Sequence, residues 1–242
     1  MPSTLTPTVL AEAEPASFDY LRAHSSVVRV PKGEIAIQPG ELGAHNLIVG
    51  SGLLMAEVPY PDEKFIPAQF IPPGRGFAPS HSPTAPSVFR ISALADAEVV
   101  FVPNSVLFSA CAQFPLFAQG MVASLLERTN DGYLGHARVR HMPLETQIAY
   151  LFWWLALLQP RLAPNTKLLP WKLPQRVLAD FFGVPREEVS RKLGVLENLS
   201  HLKKLADGYV LYDSLELVFS EYGSPSAPVS FIKSGLTVKR ES

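Results

Sequence analysis

Apolar residues change their rhythm near the middle of the chain. Before it, short β-rich runs such as Leu47-Ile48-Val49, Gly52-Leu53-Leu54-Met55 and Ala97-Glu98-Val99-Val100-Phe101-Val102 lie between turns bearing Gly and Pro. Short strands separated by turns predict an antiparallel roll or sandwich. From about Pro115 two long Pro-free segments follow, 116–142 and 144–159. In the second, Ile148, Leu151, Phe152 and Leu155 recur at i, i+3, i+4 and i+7, the spacing of an amphipathic helix.

A Pro-rich stretch over 159–164 then leads into Leu173–Asn198, LPQRVLADFFGVPREEVSRKLGVLEN. A short helical run ends at Phe181-Phe182-Gly183 and a second starts at Pro185, a first-turn residue whose missing N–H costs nothing there. Two helices joined by a tight glycine turn form a helix-turn-helix pattern. Downstream, Asp207-Gly208 separates two apolar runs in 204–212, a hairpin signal. Asp213 with Glu216 three residues on reads as a capping box for a last short helix. Residues 223–242 carry Gly, Ser and Pro, with Val229–Val238 able to add a strand.

Composition narrows the classes. The 242 residues are 47% hydrophobic and 18% charged, with Lys+Arg 21 against Asp+Glu 22, so neither a basic coat nor an acidic tail describes the whole chain. The balance is uneven: residues 1–110 hold 6 positive and 10 negative side chains, residues 111–242 hold 15 and 12. The second half is therefore the candidate for a polyanion partner. One cysteine, Cys111, excludes an intrachain disulfide, a four-cysteine zinc site and a cysteine-held iron–sulfur cluster. The N-terminus lacks a basic segment followed by an apolar core, and no uncharged apolar run reaches about 18 residues, so a cytoplasmic chain without a membrane span is expected. No nucleophile–base pair, P-loop, dinucleotide-binding glycine pattern or zinc-protease motif occurs, and a non-enzymatic role without a cofactor or metal is expected.

The stretch Leu173–Asn198 is similar to the helix-turn-helix of the cAMP receptor protein/FNR (Crp/Fnr) family of bacterial transcription regulators. Arg186, Glu187, Ser190 and Arg191 match its Arg-Glu-x-x-(Ser/Gly)-Arg run. Pro31-Lys32-Gly33, Gln38-Pro39-Gly40-Glu41 and Ile48-Val49-x-x-Gly52-x-Leu54 resemble the opening turns of its cyclic-nucleotide-binding β-roll. The resemblance implies an α+β chain: an N-terminal β-roll (jelly roll) over 1–114, a dimerisation helix over 115–142, a winged helix-turn-helix over 143–222 and an extension over 223–242. It also implies a homodimer bound to an inverted-repeat site in double-stranded DNA, with RNA polymerase as a further partner.

Chemistry supports that reading of the second helix. Arg186, Glu187, Ser190 and Arg191 share one face of its first turn and a half. Arginine pairs bidentately with guanine, and a carboxylate accepts from cytosine N4. A carboxylate would be counterproductive on a surface meant only for phosphates, so Glu187 argues for base reading. Glu187, Glu188 and Arg191 are equally spaced for ion pairs on a solvated helix start. Lys192, Lys203 and Lys204 are the expected phosphate contacts.

The likeness fails at the nucleotide. Where the family has a Gly-Glu turn and an Arg-(Ser/Thr) pair, this chain has Ala78-Pro79 and Ser87-Val88, and Gly132-Tyr133 replaces the base-contacting Thr-Ser. The phosphate loses its bidentate cation, and proline offers no N–H. Arg75 and Arg90 are candidate substitutes for that cation, although no motif points to either. Three readings stay open: a regulator with a degenerate pocket and unknown or no effector, a haem- or metabolite-responsive regulator (His81 and Pro2 being the ligand candidates), and a protein-interaction module that has lost DNA recognition.

Overall fold

The computed structural model describes residues 15–80, 85–123, 125–126, 141–157, 159 and 161–223. They form two compact units that divide at Glu127/Arg128. The class is α+β, with antiparallel sheets in both units. Among the described residues no single helix is long and apolar enough to cross a membrane.

The first unit begins with helix α1 (Pro15–Ala23) and continues through strands β1 (Ser26–Val30), β2 (Ile35–Ile37), β3 (His45–Tyr60), β4 (Lys64–Ile71), β5 (Gly76–Phe77) and β6 (Arg90–Pro103). Helices α2 (Asn104–Gln113) and α3 (Pro115–Ala123) follow, bent by 117° from one another. The sheet order is β1-β6-β3-β4, with β2 joined to β6 and β5 to β3. Period-2 alternation sends Leu47 and Val49 of β3, and Ala97 and Val99 of β6, into a core shared with Val30, Ile71, Phe77 and Ile91. Ile48, Val100 and Val102 point the other way, into a second cluster with Phe18, Leu21, Ala110 and Phe117 from the helices. Burial on both faces explains why these strands read as unbroken apolar runs.

The runs at Leu47–Val49 and Gly52–Met55 prove to be one 16-residue strand. Irregular pairing between Val49 and Leu54 lets β3 follow β6 round the roll. Gly52 makes the bulge possible: it adopts φ +83°, and a Cβ there would collide with the Asp96 carbonyl and with Ala97.

The second unit holds α4 (Leu144–Ala156), β7 (Arg161–Ala163), β8 (Thr166–Leu169), α5 (Gln175–Phe182), α6 (Arg186–Asn198), β9 (Leu202–Lys204), β10 (Tyr209–Tyr212) and α7 (Ser214–Leu217), with a 3-10 turn at Ser220–Tyr222. Its sheet runs β7-β8-β10-β9. The α4 stripe Ile148, Leu151, Phe152 and Leu155 is buried, Phe152 against Tyr209 at 4.8 Å between ring centroids. Trp153 packs on Phe219, with Lys167 Nζ 5.0 Å over its ring.

The Pro-rich stretch contributes a strand: β7 and β8 form a hairpin turned by Pro164-Asn165, with Asn165 at φ +65°, and β8 pairs with β10. The expected hairpin around Asp207-Gly208 is β9–β10; its connection is four residues long, because pairing stops at Lys204↔Tyr209 and the Leu205 N–H donates to the Gly208 carbonyl at 2.9 Å. One expectation is corrected in this unit. Asp213 makes no side-chain capping bond, so the capping box does not form. Proline marks helix starts instead. Pro103, Pro143, Pro174 and Pro185 directly precede α2, α4, α5 and α6 with extended ψ, and none of these four starts has a side-chain cap.

Candidate nucleic-acid interface

Helix α5 ends where Gly183 enters the left-handed region at φ +67°, and the Val184 N–H donates back to the Ala179 carbonyl at 3.0 Å. Two residues later Pro185 starts α6, its carbonyl accepting from the Glu188 N–H at 3.1 Å. Val189, Leu193 and Leu196 face inward and are buried, and α6 packs against both α4 and α5. This anchoring turns Arg186, Glu187, Ser190 and Arg191 outward, where all four are exposed.

Arg191 does not stand alone there. Its Nη2 lies 2.7 Å from Glu188 Oε2, both side chains being well exposed. An exposed i, i+3 pair of this kind contributes little stability and exchanges readily with another acceptor. The three lysines separate clearly. Lys203 is exposed on β9. Lys204 Nζ lies 2.8 Å from Glu197 Oε2, and the Lys204 backbone N–H donates to Glu197 Oε1, which staples the hairpin to α6. Lys192 is only 19% exposed and sits 2.7 Å from Glu145 Oε2 on α4. This pair ties α6 to α4.

These pairs set the carboxylates. Burial by itself raises Glu145, but the Lys192 hydrogen bond, a backbone N–H and the charges of Lys192 and Arg191 outweigh it and leave the carboxyl below its ordinary range. Glu197 is lowered chiefly by the hydrogen bond from Lys204.

Two exposed cations near the start of α5, Lys172 and Arg176, lie outside the set expected from sequence. Arg176 is only loosely paired, 4.0 Å from Asp180. Their signal was their position, flanking the proline that opens the first helix of the pair.

In the first unit Ser87, in the stretch that replaces the nucleotide cassette, is fully bonded to its surroundings. Ser87 is buried; its Oγ lies within donating distance of the Pro79 and Phe89 carbonyls, at 3.1 and 2.9 Å, and accepts from the Phe89 N–H. Its N–H donates to the Glu41 carbonyl at 2.7 Å. Phe77 and Phe89 meet edge to face at 5.1 Å. Arg90 is not a spare cation: it makes a bidentate pair with buried Glu57 at 2.7 and 2.9 Å, Ser92 Oγ donates to the same carboxylate, and the Phe65 ring lies 4.0 Å beneath its guanidinium. Arg75 is buried.

Cys111 is half-buried, and burial pushes its thiol up, away from reactivity. Among the described residues no three His, Cys, Asp or Glu side chains are grouped to hold a metal. His81, Pro2 and Gly132-Tyr133 lie outside the described residues, as do most of the expected dimerisation helix and the extension. The described part, α3 with Leu125 and Leu126, buries Phe117 but exposes Leu116, Val122, Leu125 and Leu126. A shallow apolar groove lined by Ala118, Val122 and Leu126 runs along this face.

No protein-family model matches the sequence, and no curated protein matches it significantly. Solved structures do. FixK2 from Bradyrhizobium japonicum superimposes with a TM-score of 0.65 at 18% identity, covering 84% of this chain and 98% of that one. A CRP-family transcriptional regulator from Thermus thermophilus gives 0.62 at 20%, covering 83% and 98%. The c-di-GMP-responsive global regulator CLP of Xanthomonas campestris gives 0.61 at 18%, covering 82% and 99%. The roll of the first unit and the helix-turn-helix with its hairpin in the second thus make up the fold of the Crp/Fnr transcription regulators.

Proposed function

We propose that the chain is a homodimeric, sequence-specific DNA-binding regulator of transcription that acts in the cytoplasm without a cyclic nucleotide. The observation that carries this reading is the outward set Arg186, Glu187, Ser190 and Arg191 on a helix whose opposite stripe is locked in the core. Arg186 and Arg191 would meet guanine and Glu187 cytosine, while Ser190 serves a base or a phosphate. Lys203, Lys172 and Arg176 would be the phosphate contacts, joined by Lys204, whose pair with Glu197 is the more exposed, while Lys192 is held back by its less exposed pair with Glu145. The exposed apolar strip of α3 supports self-association, and RNA polymerase is the protein partner of such a regulator once it is bound. The fully bonded Ser87 and the Arg90–Glu57 pair support a roll with no place for a cyclic phosphate.

Selection of duplexes from a random pool with the full-length protein tests the reading. Enrichment of an inverted repeat with half-sites about 10 bp apart is expected. A pool that gains no motif overturns it.

A further inference from the structure

Gly194 lies in the interior of α6, where glycine is the poorest helix former after proline. Nothing among the described residues explains it. Its φ is not in the left-handed region, and a Cβ built on it meets no atom of them within 4 Å beyond its own stretch of helix. Neither backbone strain nor close packing against another element calls for a missing side chain.

Its direction is informative. At 3.6 residues per turn, Gly194 shares an arc with Glu187, Ser190, Arg191 and Asn198, opposite the buried Val189, Leu193 and Leu196. The four companions are exposed and all can hydrogen-bond, so the bare backbone sits within a polar collar. An apolar partner helix would leave those groups without partners, whereas a duplex groove offers them phosphates and base edges.

We propose that Gly194 is the point of closest approach between α6 and DNA, a specificity-determining residue whose missing side chain lets the Glu187–Arg191 turn reach base edges. This rests on the DNA-binding reading and adds to it the depth at which the helix sits.

The test compares the full-length protein with Gly194→Ala and Gly194→Leu. The probes are the inverted-repeat duplex selected by the unsubstituted protein and a scrambled duplex of equal length. Gly194→Ala should raise the thermal midpoint by about 2 °C or more, yet weaken binding to the selected duplex about tenfold, with less effect on the scrambled one. Gly194→Leu should remove the preference between the two. If both variants bind the selected duplex as tightly as the unsubstituted protein, or if Gly194→Ala lowers the midpoint, the inference is overturned while the DNA-binding reading stands. If the unsubstituted protein selects no duplex, both fall.

Discussion

The Lys192 ammonium lies 2.7 Å from Glu145 Oε2 and so joins α6 to α4, with both side chains less than a third exposed. This pair predicts that Lys192 acts on stability and helix position rather than on phosphate. Lys192→Ala or Glu145→Gln should each destabilise the protein by about 1–2 kcal/mol in urea unfolding, and the double variant by clearly less than the sum. The salt dependence of DNA binding should be unchanged in Lys192→Ala. A slope that dropped by one unit would return Lys192 to the phosphate contacts.

Acid should loosen the protein through two carboxylates. Glu145 and Glu197 are both lowered in the folded state, by hydrogen bonds from Lys192 and Lys204 together with their charges. Their contribution is present above the unfolded-state carboxylate range and is lost as pH falls through the lower folded-state values. Urea midpoints measured from pH 7 down to pH 3 should fall below about pH 5, and Glu145→Gln should make the decline shallower.

Base-reading and phosphate-binding residues should respond differently to truncation. Glu187→Ala or Arg191→Ala should relax preference at one base pair per half-site, at about 1–3 kcal/mol. Lys203→Ala should weaken all sequences alike and reduce the salt slope by about one unit. Unchanged base preference in the Glu187 variant would mean that the reading face is wrongly assigned.

How much of this was legible beforehand depended on how local each signal was. The α5–α6 pair could be read because Gly183 and Pro185 lie two residues apart between two helical runs. The β7–β8 hairpin could not, since Pro160 and Pro164 disfavour a strand and the pairing partner β10 lies far along the chain. In the first unit the runs were recognised as strands but not as parts of one bulged strand, because the bulge is set by β6 across the sheet. Among the site residues, the choice of Arg186, Glu187, Ser190 and Arg191 came from the resemblance, and helical spacing put them on one face. Which lysines would be paired could not be read, because the carboxylate that meets Lys192 comes from α4 and the one that meets Lys204 from α6, each on a different element from its lysine.

Neither cAMP nor cGMP should bind. Buried Ser87 is bonded within its own loop and Arg90 is neutralised by Glu57, so neither can take a cyclic phosphate without breaking existing bonds. Calorimetric titration should give no saturable heat at micromolar nucleotide; a micromolar Kd for either would refute the degenerate-pocket reading.

Self-association should follow the exposed strip of α3. Val122, Leu125 and Leu126 are each more than half exposed, an arrangement that favours burial in a second copy. Sedimentation should give a dimer at micromolar concentration, and Leu126→Glu combined with Val122→Glu should give a folded monomer. A dimer that survives both substitutions would place the interface elsewhere.

The turn between α5 and α6 fixes where α6 begins. Gly183 is left-handed and Pro185 extended, so neither continues a helix, and one residue inserted between them would lengthen the turn and move the start of α6 away from the end of α5. Val189 and Leu193 would then keep their core positions only with a rearranged turn, and Glu187 and Ser190 depend on the same fit. Gly183 and Pro185 are themselves exposed, yet the length of the segment they bound is as constrained as any buried side chain.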